Sequence, residues 1–303
     1  MRIIDIKECS IPISRYADPS VAPAQLSTSV VAVVTDVSKD GDRLIGYGFA
    51  SIGRFAESGL IRERFAPRLL GANPEDLMRD DRACIDPLKA WTVMMSGEKP
   101  GGHGERCVAF GALDLAIWDV AAKATGQPLH RLLSDTFDCT TSDIDVPVYA
   151  GGGYLFPDND HTRLKDEAQY FAELGFRSVK IKIGSTNLAD DIARVETVLA
   201  VFGQGAQLAV DAMNSYTPES AIEAAHVLQP FRLRWFEDIC DPLDYETHRA
   251  VVAVYAPPVS AGEVFFHLPT RGTCFAIRAC APDMTCSPST RRNAMGCLNT
   301  GVS

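Results

Sequence analysis

The 303-residue sequence contains no run of basic residues, and its formal net charge is -10 with a pI of about 5.1. That balance argues against nucleic acid and anionic membranes as partners. No uninterrupted apolar run is long enough to span a bilayer. Met1 to Lys7 alternates apolar and charged residues, so it lacks the continuous apolar core of a secretory signal. The nine cysteines are odd in number and have no framework spacing, which points to reduced thiols and a cytoplasmic protein. There is no Walker or dinucleotide fingerprint and no Gly-x-Ser-x-Gly nucleophile elbow. Gly151-Gly152-Gly153 lacks the following spacing that would cradle a phosphate and reads as a flexible turn. What remains is an ordinary globular composition, 46% hydrophobic and 22% charged, long enough for two domains.

Residues 1–140 read as a small α+β domain. Leu26 to Thr35 is β-branched and apolar, and Leu44 to Ala50 follows the turn-like Lys39-Asp40-Gly41-Asp42. The clearest helix is Val108 to Thr125, whose Phe110, Leu113, Ile117, Val120 and Ala121 recur at helical steps. Gly126 and Pro128 are placed to end it. From about residue 141 the pattern changes to alternating strands and helices. The strands are Val146 to Ala150, Ser178 to Ile183, Gln207 to Ala212, Arg234 to Ile239 and Pro258 to Gly262. Such alternation predicts a parallel sheet with helical crossovers, as a barrel or a doubly wound sheet. Residues 264–303 are different again. They hold four Cys (Cys274, Cys280, Cys286, Cys297) without zinc-site pairing, four Arg and one acidic residue, Asp283.

Charged residues close successive strands. Lys182, Asp211, Glu237 and Glu263 follow one another at intervals of 29, 26 and 26 residues, about one strand-helix unit each. In a parallel β/α fold that brings all four to the carboxyl edge, where barrel enzymes keep their sites. Three converging carboxylates repel one another unless a hard divalent cation lies among them, and oxygen ligands of this kind suit Mg²⁺. Such a cation stabilises the charge left when a proton departs beside a substrate carboxylate. Lys180 and Lys182 lie two apart and so share one face of a strand. Adjacent ammonium groups lower a lysine pKa, as a general base requires. A solvated loop carboxylate is the ordinary reading of any single Asp or Glu. Three at one repeating interval beside Lys-x-Lys outweigh it. The histidines sit in helix-like or loop contexts and read as structural, and His267 falls in the Cys/Arg-rich stretch.

At this point the sequence resembles the enolase superfamily, mandelate racemase group. Lys180-Ile181-Lys182, Val210-Asp211-Ala212, Trp235-Phe236-Glu237-Asp238 and Ala261-Gly262-Glu263 look like its Lys-x-Lys motif and three metal-ligand motifs. The helix Ala112 to Asp119 resembles the link between that family's capping domain and barrel. More narrowly, Leu60 to Ala66 and Glu98 to Arg106 look like the D-tartrate dehydratase type. The resemblance implies an α+β capping domain and a (β/α)8 TIM-type barrel. It implies Mg²⁺ held by Asp211, Glu237 and Glu263, Lys182 as the base that takes an α-proton, and Lys180 tuning it. Lys99 contacts a hydroxy-acid or acid-sugar substrate in that picture, or is a plain loop charge. The implied activity is dehydration through an enediolate to a 2-oxo acid. A racemase, epimerase or proton-exchange-only enzyme stays open beside it, as does an inactive remnant that keeps a metal site. Homo-oligomers are common in the family.

The departures are specific. Met213-Asn214 stands where Asn-Gly is usual, and Val264 where Asn is usual. The family's general acid and last three strands are expected after Glu263, where the Cys/Arg-rich stretch begins instead. The expected domains are therefore 1–140, an incomplete barrel of about five strands over 141–263, and a tail over 264–303. A reading-frame shift with early termination would produce such a tail, and a barrel stopped at five strands is expected to be weakly stable.

Overall fold

The computed structural model describes residues 1–12, 27–53, 56–99, 104–137, 146–156, 158, 160–184 and 187–263. The Cys/Arg-rich stretch 264–303 lies outside the described residues, as do Pro100 to His103. The described chain forms two compact units, one drawn from residues up to 140 and one from residues beyond it.

The first unit is an antiparallel sheet ordered β1 (Ile3–Pro12), β2 (Ser27–Lys39), β3 (Asp42–Gly53). The β2–β3 hairpin closes at Lys39↔Asp42 through Asp40 (φ 57°) and Gly41 (φ 91°). Two positive φ values match the twist of the flanking strands, so β2 continues four residues beyond the expected Thr35. One face of β2 points inward, with Val31 and Val33 in the core beside Leu113 and Ile117 of α5 (Glu105–Thr125). Burying each such aliphatic side chain contributes about 1.5–3 kcal/mol. Gly46 and Gly48 let β3 lie directly on α5, because a Cβ at either position would stand 2.1 Å from the carbonyl oxygen of Ala116 or Ala112. Gly126 ends α5 in the left-handed conformation, as its position after the periodic residues predicts. Short helices α1 (Ala56–Leu60), α2 (Ala66–Gly71), α3 (Pro74–Leu77) and α4 (Pro87–Met95) precede α5, and α6 (Leu129–Thr136) follows it. A π-helical turn over Ile61–Phe65 joins α1 to α2.

The second unit is a parallel sheet in chain order: β4 (Ala150–Gly151), β5 (Val179–Lys182), β6 (Leu208–Asp211), β7 (Trp235–Glu237), β8 (Val259–Ser260). Helices α7 (Asp160–Glu173), α8 (Leu188–Phe202), α9 (Pro218–Leu228) and α10 (Tyr245–Val254) connect the strands. Alternation along each strand splits the two faces. Val179, Ile181, Leu208, Val210 and Phe236 pack in one core with Val195, Val198, Ala224, Leu228 and Val251 of the helices. The opposite face carries Lys180, Lys182, Asp211 and Glu237. Every residue of β6 is buried, as expected of a parallel strand covered on both sides. The architecture is thus an α+β unit followed by a (β/α)-barrel-type sheet with five parallel strands among the described residues.

In the parallel sheet β5 to β8 are shorter than the sequence suggests, by a residue or two at each end. The largest difference is at β4, where Val146 to Tyr149 are outside the sheet and Val146 is 72% exposed. The β4–β5 ladder starts at Ala150↔Val179, so the residues before Ala150 run past the end of β5 and have no ladder partner there. The turn after β4 also differs from expectation. Gly153 takes φ 62°, its N–H donates to Glu167 at 2.7 Å, and a Cβ would stand 2.6 Å from Ile181. Packing fixes this turn, and only glycine fits it.

Candidate metal and base site

Sheet register assembles the site. Lys182 pairs with Asp211, and Asp211 with Glu237, so three strand-end residues stand at one level across β5, β6 and β7. Lys180 lies two residues back on the same face. Its Nζ donates to Glu237 Oε1 at 2.5 Å and stands 3.2 Å from Asp211 Oδ2. Lys182 Nζ pairs with the same Asp211 Oδ2. The other oxygens are held from outside: Trp235 Nε1 donates to Glu237 Oε2 at 2.6 Å, and the Met213 amide donates to Asp211 Oδ1 at 2.9 Å. The Tyr154 ring faces Lys182, with Nζ 5.7 Å from its centroid.

The electrostatics of Lys180 are set by its carboxylate partners. Burial pulls the Lys180 pKa down, but the hydrogen bond to Glu237 and the charges of Asp211 and Glu237 outweigh it, and the net shift is upward. Carboxylates, not the neighbouring ammonium, dominate the surroundings of Lys180. Because that shift rests on carboxylate charge, neutralising Asp211 and Glu237 lowers it.

Asp238 completes the acidic group. Oxygens of Asp211, Glu237 and Asp238 all lie within 4.8 Å of one another, close enough to hold a metal ion. Asp238 is 2% exposed, and neither of its carboxylate oxygens has a hydrogen-bond partner. Burial and the nearby charges of Glu263, Asp211 and Glu237 push its pKa up to about 7, against the pull of Lys180. A buried carboxylate with two unmet oxygens among other carboxylates is what a hard, oxygen-seeking cation relieves, so the donor set fits Mg²⁺.

The described geometry gathers Asp238, in place of Glu263, with Asp211 and Glu237. Glu237 is level with Ser260, so Glu263 stands three residues beyond that level, after Gly262 at φ 117°. It is exposed, though close enough for its charge to raise Asp238. Sequence reasoning missed Asp238 because strand alternation sends the neighbour of Glu237 to the opposite face. The structure escapes that rule: Asp238 has φ 46°, which turns the chain as the strand ends. The adjacent Glu237-Asp238 pair was the available signal. Lys99 lies in the first unit, exposed, with its carbonyl accepting from Arg106 at 2.7 Å.

Fold and site together define a class: a β/α-barrel-type protein with paired lysines beside an acidic group able to hold a cation. The sequence profile of the mandelate racemase / muconate lactonizing enzyme N-terminal domain matches residues 13–134, and that of the enolase C-terminal domain-like family matches residues 163–281, a stretch that continues past Glu263. The chain belongs to this family, the mandelate racemase group of the enolase superfamily. L-talarate/galactarate dehydratase of Salmonella typhimurium is 30% identical over 78% of this chain and 56% of its own length. 3,6-anhydro-alpha-L-galactonate cycloisomerase of Streptomyces coelicolor is 30% identical over 84% of this chain and 65% of its own. A racemase from Streptomyces coelicolor, solved with bound magnesium, superposes with a TM-score of 0.72 at 26% identity, covering 92% of this chain and 74% of that one. The chain thus spans 56–65% of the length of these two curated relatives. Among the described residues, no helix is long and apolar enough to cross a membrane.

Proposed function

We propose that this chain carries the metal and base groups of a Mg²⁺-dependent acid-sugar dehydratase. One observation carries the reading: buried Asp238, with both oxygens unpartnered, beside Asp211 and Glu237, in a site that also holds Lys182 and Lys180. Asp211 and Glu237 hold the cation, with Asp238 or Glu263 as third carboxylate. When bound, magnesium neutralises the charge that develops on the substrate carboxylate. Lys182 takes the proton from the carbon beside that carboxylate, and the C–H electron pair moves into an enediolate. The enediolate then collapses, the β C–O bond breaks with the hydroxyl leaving as water on a proton taken from solvent, and the resulting enol tautomerises to a 2-oxo acid. Lys180, tied to Glu237 and Asp211, keeps a positive charge beside this chemistry.

The relatives that act on acid sugars support the substrate class. D-tartrate is the finer choice, since Leu60 to Ala66 and Glu98 to Arg106 resemble the D-tartrate dehydratase type. The racemase-like neighbour supports a second reading, in which Lys182 exchanges the α-proton without elimination. NMR in D₂O with Mg²⁺ and D-tartrate or galactarate separates the two. Keto-acid formation abolished by Lys182→Ala supports the dehydratase, and deuteration without elimination supports exchange alone. A folded, Mg²⁺-binding sample that does neither refutes both.

A further inference from the structure

Arg194, on α8, belongs to no motif. It is nevertheless among the largest fully buried side chains of the described residues, 1% exposed. A guanidinium does not give up its proton in a protein, so its charge must be met where it lies. Asp160 meets it through Nη1. The remaining bonds go to main chain: Nε donates to the Lys182 carbonyl at 3.0 Å, and Nη2 to the carbonyls of Gly153 at 2.5 Å and Tyr154 at 3.3 Å.

These carbonyls surround Lys182. In a strand, the N–H and C=O of one residue point to the same side. At Lys182 that side faces β4, which ends at Gly151, below the level of Lys182. The Lys182 N–H finds the Gly153 carbonyl at 3.1 Å, presented by a turn only glycine can make. The Lys182 carbonyl has no strand beside it, and Arg194 supplies the missing donor. The guanidinium therefore closes a ring: it binds the Lys182 carbonyl directly and the Lys182 N–H through the shared Gly153 carbonyl. Through Tyr154 it also holds the residue whose ring faces the Lys182 ammonium. Asp160, for its part, accepts from the Phe156 amide at 2.8 Å and so shapes the same turn.

We propose that Arg194 is a positioning residue for Lys182, clipping the carboxyl ends of β4 and β5 so that the ammonium is held at the acidic group. The proposal rests on reading Lys182 as the proton-abstracting base. A role in stability alone would need only a neutral, well-packed side chain, since apolar replacements of buried ion pairs are often as stable. A planar fork that reaches two strand ends at once is specific to arginine.

The test uses the full chain with Arg194→Met and Arg194→Lys. In ¹³C-lysine-labelled protein, the Lys182 Cε resonance is assigned with Lys182→Arg. The expected result is a displaced Lys182 resonance in Arg194→Met, with the other lysine signals and the circular dichroism unchanged, and an intermediate position in Arg194→Lys. In the D₂O assay, Arg194→Met loses about 100-fold in kcat with KM changed less than about threefold, the signature of a misplaced reacting group. A folded Arg194→Met with an unmoved Lys182 resonance and wild-type exchange overturns the proposal. If Arg194→Met does not fold, Arg194→Lys carries the same two measurements. A wild-type chain without exchange removes Lys182 as base, and the resonance still decides whether Arg194 positions it.

Discussion

The buried carboxylate of Asp238 makes the site a measurable weakness of the metal-free fold. In an unfolded chain an aspartate loses its proton near 3.8, whereas folded Asp238 keeps it to about 7. The folded state therefore binds more protons between those values, and stability falls as pH rises through that window and stays low above it. The gap corresponds to about 4 kcal/mol. Asp238→Asn removes the charge but leaves buried amide donors, which cost about 1–3 kcal/mol. The net gain at pH 8 in EDTA is then about 2 kcal/mol, or about 4–8 °C in Tm. At pH 4 wild-type Asp238 is protonated, the charge penalty is gone, and the amide cost leaves the variant about 1–3 kcal/mol the less stable. Magnesium narrows the gap: at 100 times the wild-type Kd it stabilises wild type by about 2.7 kcal/mol, and the variant, short of one ligand and bound at least about tenfold more weakly, by at most about 1.4 kcal/mol. Thermal melts of both proteins at pH 4 and 8, in EDTA and in MgCl₂, give the four comparisons. The reasoning is refuted if Asp238→Asn melts lower in EDTA at pH 8, or if magnesium raises both proteins equally.

Two further variants test the site and its supporting turn. Glu263→Gln should weaken Mg²⁺ binding by less than about threefold in calorimetry, and Asp238→Asn by more than about tenfold, since each carboxylate ligand lost removes charge and a bond; the reverse order restores Glu263 as third ligand. Met213 holds φ 51° where the family pattern has Asn, and Met213→Asn should add about 0.5–1 kcal/mol in urea unfolding because asparagine tolerates that conformation better. A loss of stability would show that packing of the methionine side chain outweighs its backbone strain.

Much of this site is legible in the sequence because it follows from periodicity. Lys180 and Lys182 share a face for the reason that any two residues two apart on a strand do. Lys182, Asp211 and Glu237 reach one edge because a parallel sheet with helical crossovers repeats at about the interval that separates them. Where backbone departs from repetition, the reading stops. Asp238 joins the group through a left-handed residue that breaks alternation. Glu263 is set three residues past the level of Glu237 by where β8 ends. The triple glycine, a flexible turn on composition, is fixed by the space that Ile181 occupies beside Gly153.

The sequence by itself determined the order of elements, the face on which the charged residues lie and the family to which they belong, because each depends on residue type and spacing along the chain. Only the tertiary structure decided which carboxylates converge, which way the pKa of Lys180 moves, and that a buried arginine from α8 grips both ends of the Lys182 peptide. Those outcomes depend on distances between segments far apart in sequence, and on desolvation, which no local pattern records.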